Sequence, residues 1–356
     1  MNTQKYIPLF YIAYFIFTTV FSYYINRLFL QFASNLGTRN APANMVRWSE
    51  QTKPSLGGFS FYIVFLLSII FYLIVFTSEV GVLNTQVLGI LTAGTLSFIM
   101  GLTDDAYNTQ PLLKLVAQIT CAVILIITGT YISIFSNDYI NFGLTILWIV
   151  GIMNSINMLD NMDSISTLSS IAIILNIVFI IFVLGNLSNN IYLIVLLSVL
   201  CGLVGFIPFN WNPAKMFMGD TGSQFLGFFL GAFGITYLWN TGDTQGEFIM
   251  SKQLIITTLT FSIPIIDTTS VVINRLLKGG SPFIGGKDHT THSLHLMGIS
   301  EKNIARIYFL IGSSSMLFNY FILTTNQWGL YHVLGFSTYF IVIFILLYLP
   351  TRKNPN

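Results

Sequence analysis

Long runs of apolar residues, separated by short polar segments, cover most of the 356-residue chain. A helix that crosses the hydrocarbon core of a membrane needs about 20 apolar residues, and the chain contains eleven runs of this kind. The predicted spans are residues 7–31, 58–77, 84–102, 112–134, 139–158, 167–185, 190–208, 222–240, 252–275, 303–323 and 331–350. The pattern therefore predicts an all-α integral membrane protein with eleven transmembrane helices, or ten if the 167–208 region is miscounted.

The composition supports a membrane protein. Hydrophobic residues make up 54% of the chain and charged residues 8%, whereas a soluble domain carries about 25% charged residues. No polar stretch is long enough for a separate soluble domain, so residues 1–356 are predicted to form a single polytopic domain. The first apolar run is too long for a removable signal peptide. A net charge of +2 without a basic patch gives no indication of nucleic-acid binding.

The Lys and Arg residues are distributed unequally between alternate loops. One set of loops carries Arg39, Arg47, Lys53, Lys114, Lys215, Arg275, Lys278, Lys287, Lys302, Arg306, Arg352 and Lys353. The other set carries Lys5 and Lys252. Since cytoplasmic loops of membrane proteins are enriched in Lys and Arg, the C-terminus is predicted to be cytoplasmic and, with eleven spans, the N-terminus lies outside.

The polar segments fall in the same Lys- and Arg-rich loops. They read TKPSLGG, GLTDDAYNTQ, NSINMLDNMDS, NWNPAKMFMGD and GGKDHTTHSLH. The opposite loops are short and nearly uncharged. This arrangement predicts a functional site at the cytoplasmic face of the membrane.

Asp104 and Asp105 lie at the predicted cytoplasmic end of the third span. Adjacent carboxylates repel each other, and a divalent cation or a shared proton can hold them together. Lys114 follows at the start of the next span, where a lysine can hold a phosphate as a point charge. The alternative is a polar turn that only marks the membrane edge.

Asn154, Asn157, Asp160 and Asp163 recur at steps of three residues. If the helix continues through them, they form one polar stripe on an apolar surface. A carboxylate at the centre of a membrane helix costs about 2.5–3.5 kcal/mol, and less at the membrane edge. The stripe therefore indicates a face that borders a wet cavity, and the alternative is a helix end that frays into water.

Asp220 lies where the eighth span begins, after the Gly219 turn and close to Phe217. Carboxylate oxygens are the ligands that Mg²⁺ prefers, and Mg²⁺ keeps waters that phosphate ligands can replace. The alternative is that Asp220 caps its own helix by accepting backbone N–H bonds. Lys53, which precedes a proline and two glycines, is a weaker candidate.

His289 and His292 lie three residues apart in the basic segment between the ninth and tenth predicted helical spans. Imidazole can donate to phosphate oxygens or bind a metal. The cations of this segment suit a diphosphate. Its other charged candidates are Arg275, Lys278, Lys287 and Asp288. Carboxylates, histidines and cations in five cytoplasmic loops suggest phosphoryl transfer at the membrane surface.

Taken together, the five motifs resemble those of the polyprenyl-phosphate N-acetylhexosamine-1-phosphate transferases. The segments KPSLGG, GLTDDAYNTQPLLK, NSINMLDNMDS, FNWNPAKMFMGDTGS and GGKDHTTHSL occur in this family's order and cover nearly the whole chain. The resemblance implies transfer of a sugar-1-phosphate, most simply N-acetylglucosamine-1-phosphate, from a UDP-N-acetylhexosamine to undecaprenyl phosphate, with release of UMP. It also implies a multi-pass protein of the bacterial cytoplasmic membrane that begins a cell-surface polysaccharide.

The resemblance also assigns roles to residues. The expected catalytic residues are Asp104, Asp105, His289 and His292. The expected substrate-binding residues are Lys53, Lys114, Asn154, Asn157, Asp160, Asp163, Phe217, Arg275, Lys278 and Asp288, with Phe217 similar to an aromatic that stacks on uracil. The expected metal ligands are Asp220 and Asp105, with Mg²⁺ as the cofactor and Mn²⁺ as a substitute.

Three residues depart from the family's motifs. Asn161 and Ser164 replace two glycines of the nucleotide-side motif, and Thr291 replaces the middle histidine of the histidine motif. These departures argue against the phospho-N-acetylmuramoyl-pentapeptide transferase branch, which remains the first alternative. A membrane transporter is the alternative from another class, although transporter sites lie near the midplane and often come in repeated halves.

Two mechanisms remain open at this stage. The lipid phosphate attacks the diphosphate directly, or a carboxylate attacks first and forms a covalent intermediate. Direct attack is favoured because the lipid phosphate is already anionic and needs positioning more than activation. The sugar transferred and the oligomeric state, with a homodimer as one option, are left open by the sequence.

Overall fold

The computed structural model describes residues 7–36, 53–75, 84–185, 191–281, 286 and 288–353, so Arg39, Arg47 and Lys287 lie outside the described residues. The described residues form thirteen α-helices. They are α1 (Ile7–Leu36), α2 (Gly57–Val75), α3 (Thr85–Tyr107), α4 (Pro111–Ile127), α5 (Asp138–Leu159), α6 (Ile165–Val183), α7 (Ile191–Asn210), α8 (Gly219–Gly234), α9 (Met250–Thr260), α10 (Ser262–Leu277), α11 (Thr290–Leu296), α12 (Glu301–Thr324) and α13 (Leu330–Lys353). A π-helical turn, Ile235–Trp239, continues α8.

The helices confirm the predicted all-α membrane architecture. Eight of them are long and apolar enough to cross a membrane, and the number rises to nine if α9 and α10 form one broken span. Within the described residues, β structure is confined to an isolated bridge between Ser55 and Phe217. The count of eleven spans stays a prediction.

The ninth predicted span is broken instead of continuous. α9 and α10 meet at an angle of 78°, and the break falls at Phe261. Pro264 in the first turn of α10 has no N–H to donate to the Thr260 carbonyl, so one continuous helix is disfavoured there. A side-chain contact also fixes this break, since the Thr260 hydroxyl accepts a hydrogen bond from the buried Asn319 amide on α12 at 2.9 Å.

The fourth span is shorter than predicted, because α4 ends at Ile127 instead of continuing to residue 134. Gly129 adopts a left-handed conformation with φ +86°, which ends the helix. The following segment is held by the Asn141 side chain, whose oxygen accepts the Phe135 N–H at 3.0 Å. The apolar pattern alone does not distinguish this packed segment from another helical turn.

α8 forms the centre of the bundle and contacts α2, α3, α5 and α6. Every residue from Thr221 to Gly234 on this helix is buried. Small residues allow neighbouring backbones to approach closely. At Gly227, for example, a Cβ atom would lie 2.6 Å from the Met153 Cα on α5. The first turn of α8, which carries Asp220, is therefore held firmly between its neighbours.

A buried ion pair lies at the opposite end of the bundle from Asp220. Lys252 at the start of α9 is fully buried, and its Nζ donates to Asp243 Oδ2 at 2.6 Å and to the Thr325 carbonyl at 2.8 Å. The Trp328 ring lies 5.5 Å from the same nitrogen. Since Asp243 neutralises Lys252, this end of the bundle gains little net positive charge from it.

Candidate active site

The polar residues singled out by the sequence gather at one end of the bundle. α3, α5 and α10 end there, and α2, α4 and α8 begin there. Hydrogen bonds described below join these elements, although their motifs are far apart along the chain. The assignment of this end to the cytoplasm stays a prediction.

Asp104, Lys114 and Asp220 form the centre of this end. The Lys114 ammonium makes a close contact with Asp104 and lies 3.4 Å from Asp220 Oδ2. The other oxygen of Asp104 accepts two bonds from Thr109, from its N–H at 2.9 Å and its hydroxyl at 2.6 Å. One lysine therefore holds two carboxylates from different helices within reach of a single ligand.

Asp105 has a different environment from its neighbour. Its two oxygens accept the backbone N–H groups of Asp220 and Thr221, at 3.0 and 2.8 Å, and the Thr221 hydroxyl at 2.6 Å. Asp105 on α3 thus caps the N-terminus of α8, where a negative charge is favourable. The capping role considered for Asp220 is wrong, because Asp105 performs it and the Asp220 carboxylate makes other contacts.

Gly101 allows α3 to approach the first turn of α8. A Cβ atom at this position would lie 2.2 Å from the Asp220 carbonyl oxygen and 2.7 Å from the Thr221 Cα. Both atoms belong to the backbone and cannot move alone. The separation between Asp105 and the turn that carries Asp220 therefore depends on the absence of a side chain at residue 101.

We expect Gly101→Ala to destabilise the protein by about 1–3 kcal/mol, because the new methyl group must displace α3 or α8. The matched control is Gly151→Ala on α5, where no neighbouring helix of the described structure comes within 4 Å of the added carbon. Alanine there is expected to stabilise the helix by about 0.5–1 kcal/mol. Thermal unfolding of the two purified variants measures the difference. Equal melting temperatures would contradict the close approach.

The predicted polar stripe does not form, because α5 ends at Leu159 and α6 begins only at Ile165. Asn157 remains on α5, and its amide donates to Asp220 Oδ1 at 2.7 Å and to the Ser223 hydroxyl at 2.9 Å. Ser164 just before α6 has φ +66°. This left-handed conformation favours glycine, the residue that the family's motif has at this position.

Asp160 lies at the C-terminal cap of α5, half-buried, among the other carboxylates of the site. Burial and the neighbouring charges of Asp220, Asp105 and Asp163 raise the pKa of Asp160 to about 8. Each of these causes disfavours a further negative charge. Burial disfavours a charge of either sign, so it is the repulsion among these carboxylates that a bound cation would relieve.

A layer of three amides lies one helical turn beneath this centre, with Gln118 and Gln224 buried and Asn154 partly buried. Asn154 donates to Gln118 Oε1 at 2.9 Å, and Gln118 donates in turn to Gln224 Oε1 at 3.1 Å. Neither glutamine was predicted from the sequence as a site residue. A signal was present, since Gln118 and Gln224 follow Lys114 and Asp220 by four residues and so lie on the same helix faces.

Lys53, Asp163 and Phe217 form a second group beside the first. The Asp163 carboxylate accepts the Ala214 N–H at 2.8 Å and lies 3.9 Å from the Lys53 ammonium. That ammonium lies 5.1 Å from the centre of the Phe217 ring, which is partly exposed. Backbone hydrogen bonds join Phe217 to Pro54 and Gly57, at 3.0 and 3.1 Å. An aromatic face and a cation are therefore presented together.

The histidine segment packs against this region. Thr291 donates its hydroxyl hydrogen bond to Asn161 Oδ1 at 2.8 Å. Asn161 and Thr291, two of the three residues that differ from the family's motifs, are therefore in direct contact. His289 lies 2.7 Å from Asp267 Oδ2, and the His292 ring lies 5.3 Å from the His289 ring. Asp267, which lies within the broken ninth span, was not predicted from the sequence as a site residue.

Arg275 and Asp288 form a two-point ion pair, with both distances at 2.7 Å. Burial opposes the charge of Asp288, but the hydrogen bonds and charge of Arg275 outweigh it and lower the pKa of this carboxyl. Arg275, one of the cations predicted to bind a diphosphate, is thus already neutralised by Asp288 within the protein. Lys278 is exposed at the end of α10.

The donor groups fit a hard cation that keeps most of its waters. Within the described part of the chain, no three His, Cys, Asp or Glu side chains form a closed metal cage. Mg²⁺, however, is commonly held by one or two carboxylates together with substrate phosphates. Asp104 and Asp220 satisfy this requirement, and their shared contact with Lys114 shows that a positive charge is stable there.

Comparison with known proteins supports the same family. The sequence model of glycosyl transferase family 4 matches residues 87–238, from the first turn of α3 into the π-helical turn after α8. A probable undecaprenyl-phosphate N-acetylglucosaminyl 1-phosphate transferase of Bacillus subtilis is 24% identical over 79% of this chain and 76% of its own length.

Two shorter matches cover the same kind of enzyme. The decaprenyl-phosphate N-acetylglucosaminephosphotransferase of Mycolicibacterium smegmatis is 30% identical over 30% of this chain and 28% of its own length. A phospho-N-acetylmuramoyl-pentapeptide-transferase of Thermotoga maritima is 34% identical over 32% of this chain and 33% of its own length. With its motifs in register and gathered at one end of an apolar bundle, the chain is similar to proteins of glycosyl transferase family 4.

Proposed function

We propose that this protein transfers N-acetylglucosamine-1-phosphate from UDP-N-acetylglucosamine to undecaprenyl phosphate and releases UMP. The observation that carries the proposal is the Asp104–Lys114–Asp220 cluster, which lies at the end of an apolar bundle. There it can meet a soluble nucleotide and a lipid headgroup together. The names of the relatives from Bacillus subtilis and Mycolicibacterium smegmatis support the sugar and the acceptor class.

Asp220 and Asp104 are the proposed ligands of Mg²⁺, which would neutralise charge on the diphosphate when bound. Asp104 is preferred to Asp105 as the second ligand because it shares a cation, the Lys114 ammonium, with Asp220, whereas both oxygens of Asp105 face the N-terminus of α8. Lys114 adds a positive charge that can hold a phosphate oxygen. The metal role predicted for Asp105 stays a prediction.

In the proposed reaction an oxygen of the lipid phosphate attacks the phosphorus that carries the sugar. The bond between that phosphorus and the bridging oxygen breaks, and the bridging oxygen leaves with UMP and the bonding electron pair. The lipid phosphate needs no base, because it is anionic at neutral pH.

The contacts of the acid pair support direct attack. Each oxygen of Asp104 already contacts Thr109 or Lys114, and each oxygen of Asp105 accepts bonds from α8. A carboxylate nucleophile would have to give up these contacts before it could form a covalent intermediate.

On the nucleotide side, Phe217 offers a ring face on which uracil can stack, with Lys53 beside it. Asp163 orients this group through the Ala214 backbone and Lys53. The gathered end is proposed to face the cytoplasm of a bacterium, where UDP-sugars are made.

The muramoyl-pentapeptide transfer reaction is the second candidate. The relative from Thermotoga maritima matches over a third of its own length. Thr291 occupies the position at which that branch carries another histidine of its run. In this protein the threonine hydroxyl donates to Asn161 instead. A transporter is disfavoured because the Asp104–Lys114–Asp220 cluster lies at helix ends, whereas transporter sites lie near the midplane.

The test is an assay of the purified protein in detergent with labelled UDP-N-acetylglucosamine. We expect UMP release only when both undecaprenyl phosphate and Mg²⁺ are present, with the label recovered in the lipid phase. UDP-N-acetylmuramoyl-pentapeptide is the competing donor. Preferential use of that donor, or UMP release without the lipid, would contradict the proposal.

A further inference from the structure

Asp267 on α10 is a buried carboxylate that contacts the start of the histidine helix α11. Its Oδ2 lies 2.7 Å from His289 Nδ1, and its Oδ1 accepts the Thr290 N–H at 2.9 Å and the Thr290 hydroxyl at 2.5 Å. Asp267 is 1% exposed and His289 is 6% exposed. Both carboxylate oxygens are therefore used within the protein.

The hydrogen-bond chemistry fixes which ring nitrogen of His289 is available. An ionised carboxylate only accepts hydrogen bonds, so Nδ1 must carry the proton that it shares with Asp267. The other nitrogen, Nε2, lies on the far side of the ring. The Thr290 hydroxyl donates to Asp267, so its oxygen accepts from the Tyr308 hydroxyl at 2.6 Å.

Neighbouring residues of the same segment are each held by a different contact. Thr291, two residues after His289, bonds to Asn161 at the end of α5. Asp288, one residue before it, pairs with Arg275. The backbone of His289 is therefore fixed by its neighbours, through Thr291 to the end of α5 and through Asp288 to α10, and Asp267 fixes the ring itself.

We propose that Asp267 is the positioning residue of His289, and that it holds His289 Nε2 ready to contact the phosphate groups of the nucleotide donor. The proposal rests on the proposed function. A carboxylate on Nδ1 sets the tautomer and orientation of the ring. Protonated Nε2 then donates to a phosphate oxygen, whose negative charge it helps to balance.

Asp267→Asn is the direct test, because asparagine keeps the size of the side chain. Its Oδ1 can still accept from Thr290, while its NH₂ group must donate to His289 Nδ1. The ring then keeps a single proton on Nε2 and loses the positive charge that would balance the phosphate. We expect kcat to fall by about 10²-fold with little change in KM for the UDP-sugar. The matched control is Ser270→Ala on the same helix, at a buried residue whose hydroxyl makes no hydrogen bond within the described structure.

A double-mutant cycle separates positioning from general stability. If Asp267 acts through His289, Asp267→Asn added to His289→Ala costs no further activity. A further loss equal to that of Asp267→Asn alone would overturn the proposal, as would Asp267→Asn activity equal to that of Ser270→Ala. If the unaltered enzyme itself releases no UMP, the proposed function fails instead, which the same assay shows.

A second pair of variants covers the case in which Asp267→Asn does not fold. The amide nitrogen of glutamine at residue 289 falls near the position of Nε2, and that of asparagine falls near Nδ1. We expect His289→Gln to keep at least about tenfold more activity than His289→Asn, the size of effect that such a positioned donor supplies. Equal activities, or a higher activity of His289→Asn, would overturn the proposal.

Discussion

Asp220→Asn is expected to lower kcat by about 10²–10³-fold, the usual cost of removing one group that stabilises transition-state charge. The change preserves shape, since the asparagine oxygen can still accept the hydrogen bond that Asn157 donates at 2.7 Å. It removes the charge that faces Lys114 at 3.4 Å. Because a neutral amide binds Mg²⁺ more weakly than a carboxylate, the Mg²⁺ concentration for half-maximal activity is expected to rise. UMP release measured across a Mg²⁺ titration gives both quantities.

Asp138→Asn supplies the matched control for that experiment. Asp138 is exposed in the first turn of α5, at the end of the helix away from Asn157. The same chemical change there is expected to leave kcat and the Mg²⁺ titration unaltered. If Asp220→Asn behaved like Asp138→Asn, the assignment of Asp220 as a metal ligand would be lost.

Lys252→Ala is expected to destabilise the protein by about 3–5 kcal/mol, the cost of leaving one member of a buried ion pair without its partner. Asp243 keeps bonds from the Gln245 and Glu247 N–H groups, but loses the only lysine within reach among the described residues. Thermal or denaturant unfolding in detergent measures the change. Lys302→Ala, at an exposed position on α12, is the control and is expected to stay within about 0.5 kcal/mol.

The pH dependence of this ion pair has a definite sign. Burial opposes the charge of Asp243, but the bonds from Lys252, Gln245 and Glu247 outweigh it and lower the pKa of Asp243. A carboxyl whose folded pKa is lowered contributes stability above its unfolded pKa and loses it as the pH falls through the folded value. The difference between the native protein and Lys252→Ala should therefore be full at neutral pH and shrink in acid. A difference that grew in acid would contradict the ion pair.

The helices were predictable from the sequence because each membrane span requires its own long apolar run. Their interruptions were harder to predict. The bend at Phe261 depends on Pro264 together with a partner from α12, and the early end of α4 depends on a glycine at φ +86°. Both sites read as apolar in sequence, so the hydropathy pattern passes over them.

The site was predictable as a set of residue types but not as a set of contacts. Asp104, Lys114 and Asp220 were singled out and do meet. Asp105 was expected to behave like its neighbour, yet it faces the N-terminus of α8 because adjacent residues on a helix point about 100° apart. The different contacts of Asp104 and Asp105 depend on how α3 packs against α8, a helix that is far from it along the chain.

Asp267 could have been found from the sequence. A single carboxylate within an apolar span is costly unless it is paired, which makes it a candidate functional residue by default. Its partners, His289 and Thr290, lie more than twenty residues further along the chain. The sequence shows that a partner must exist but does not identify it.

The contact between Asn161 and Thr291 bears on how homologous segments can be exchanged. Each residue is unusual for its motif, and each supplies what the other needs, a hydroxyl donor and an amide acceptor 2.8 Å apart. If only the histidine segment were taken from a relative with a histidine at residue 291, an imidazole ring would replace the Thr291 hydroxyl beside the Asn161 amide. Loops exchanged between these enzymes should therefore carry residues 161 and 291 together. A chimera that changes only one of the two would lose their hydrogen bond.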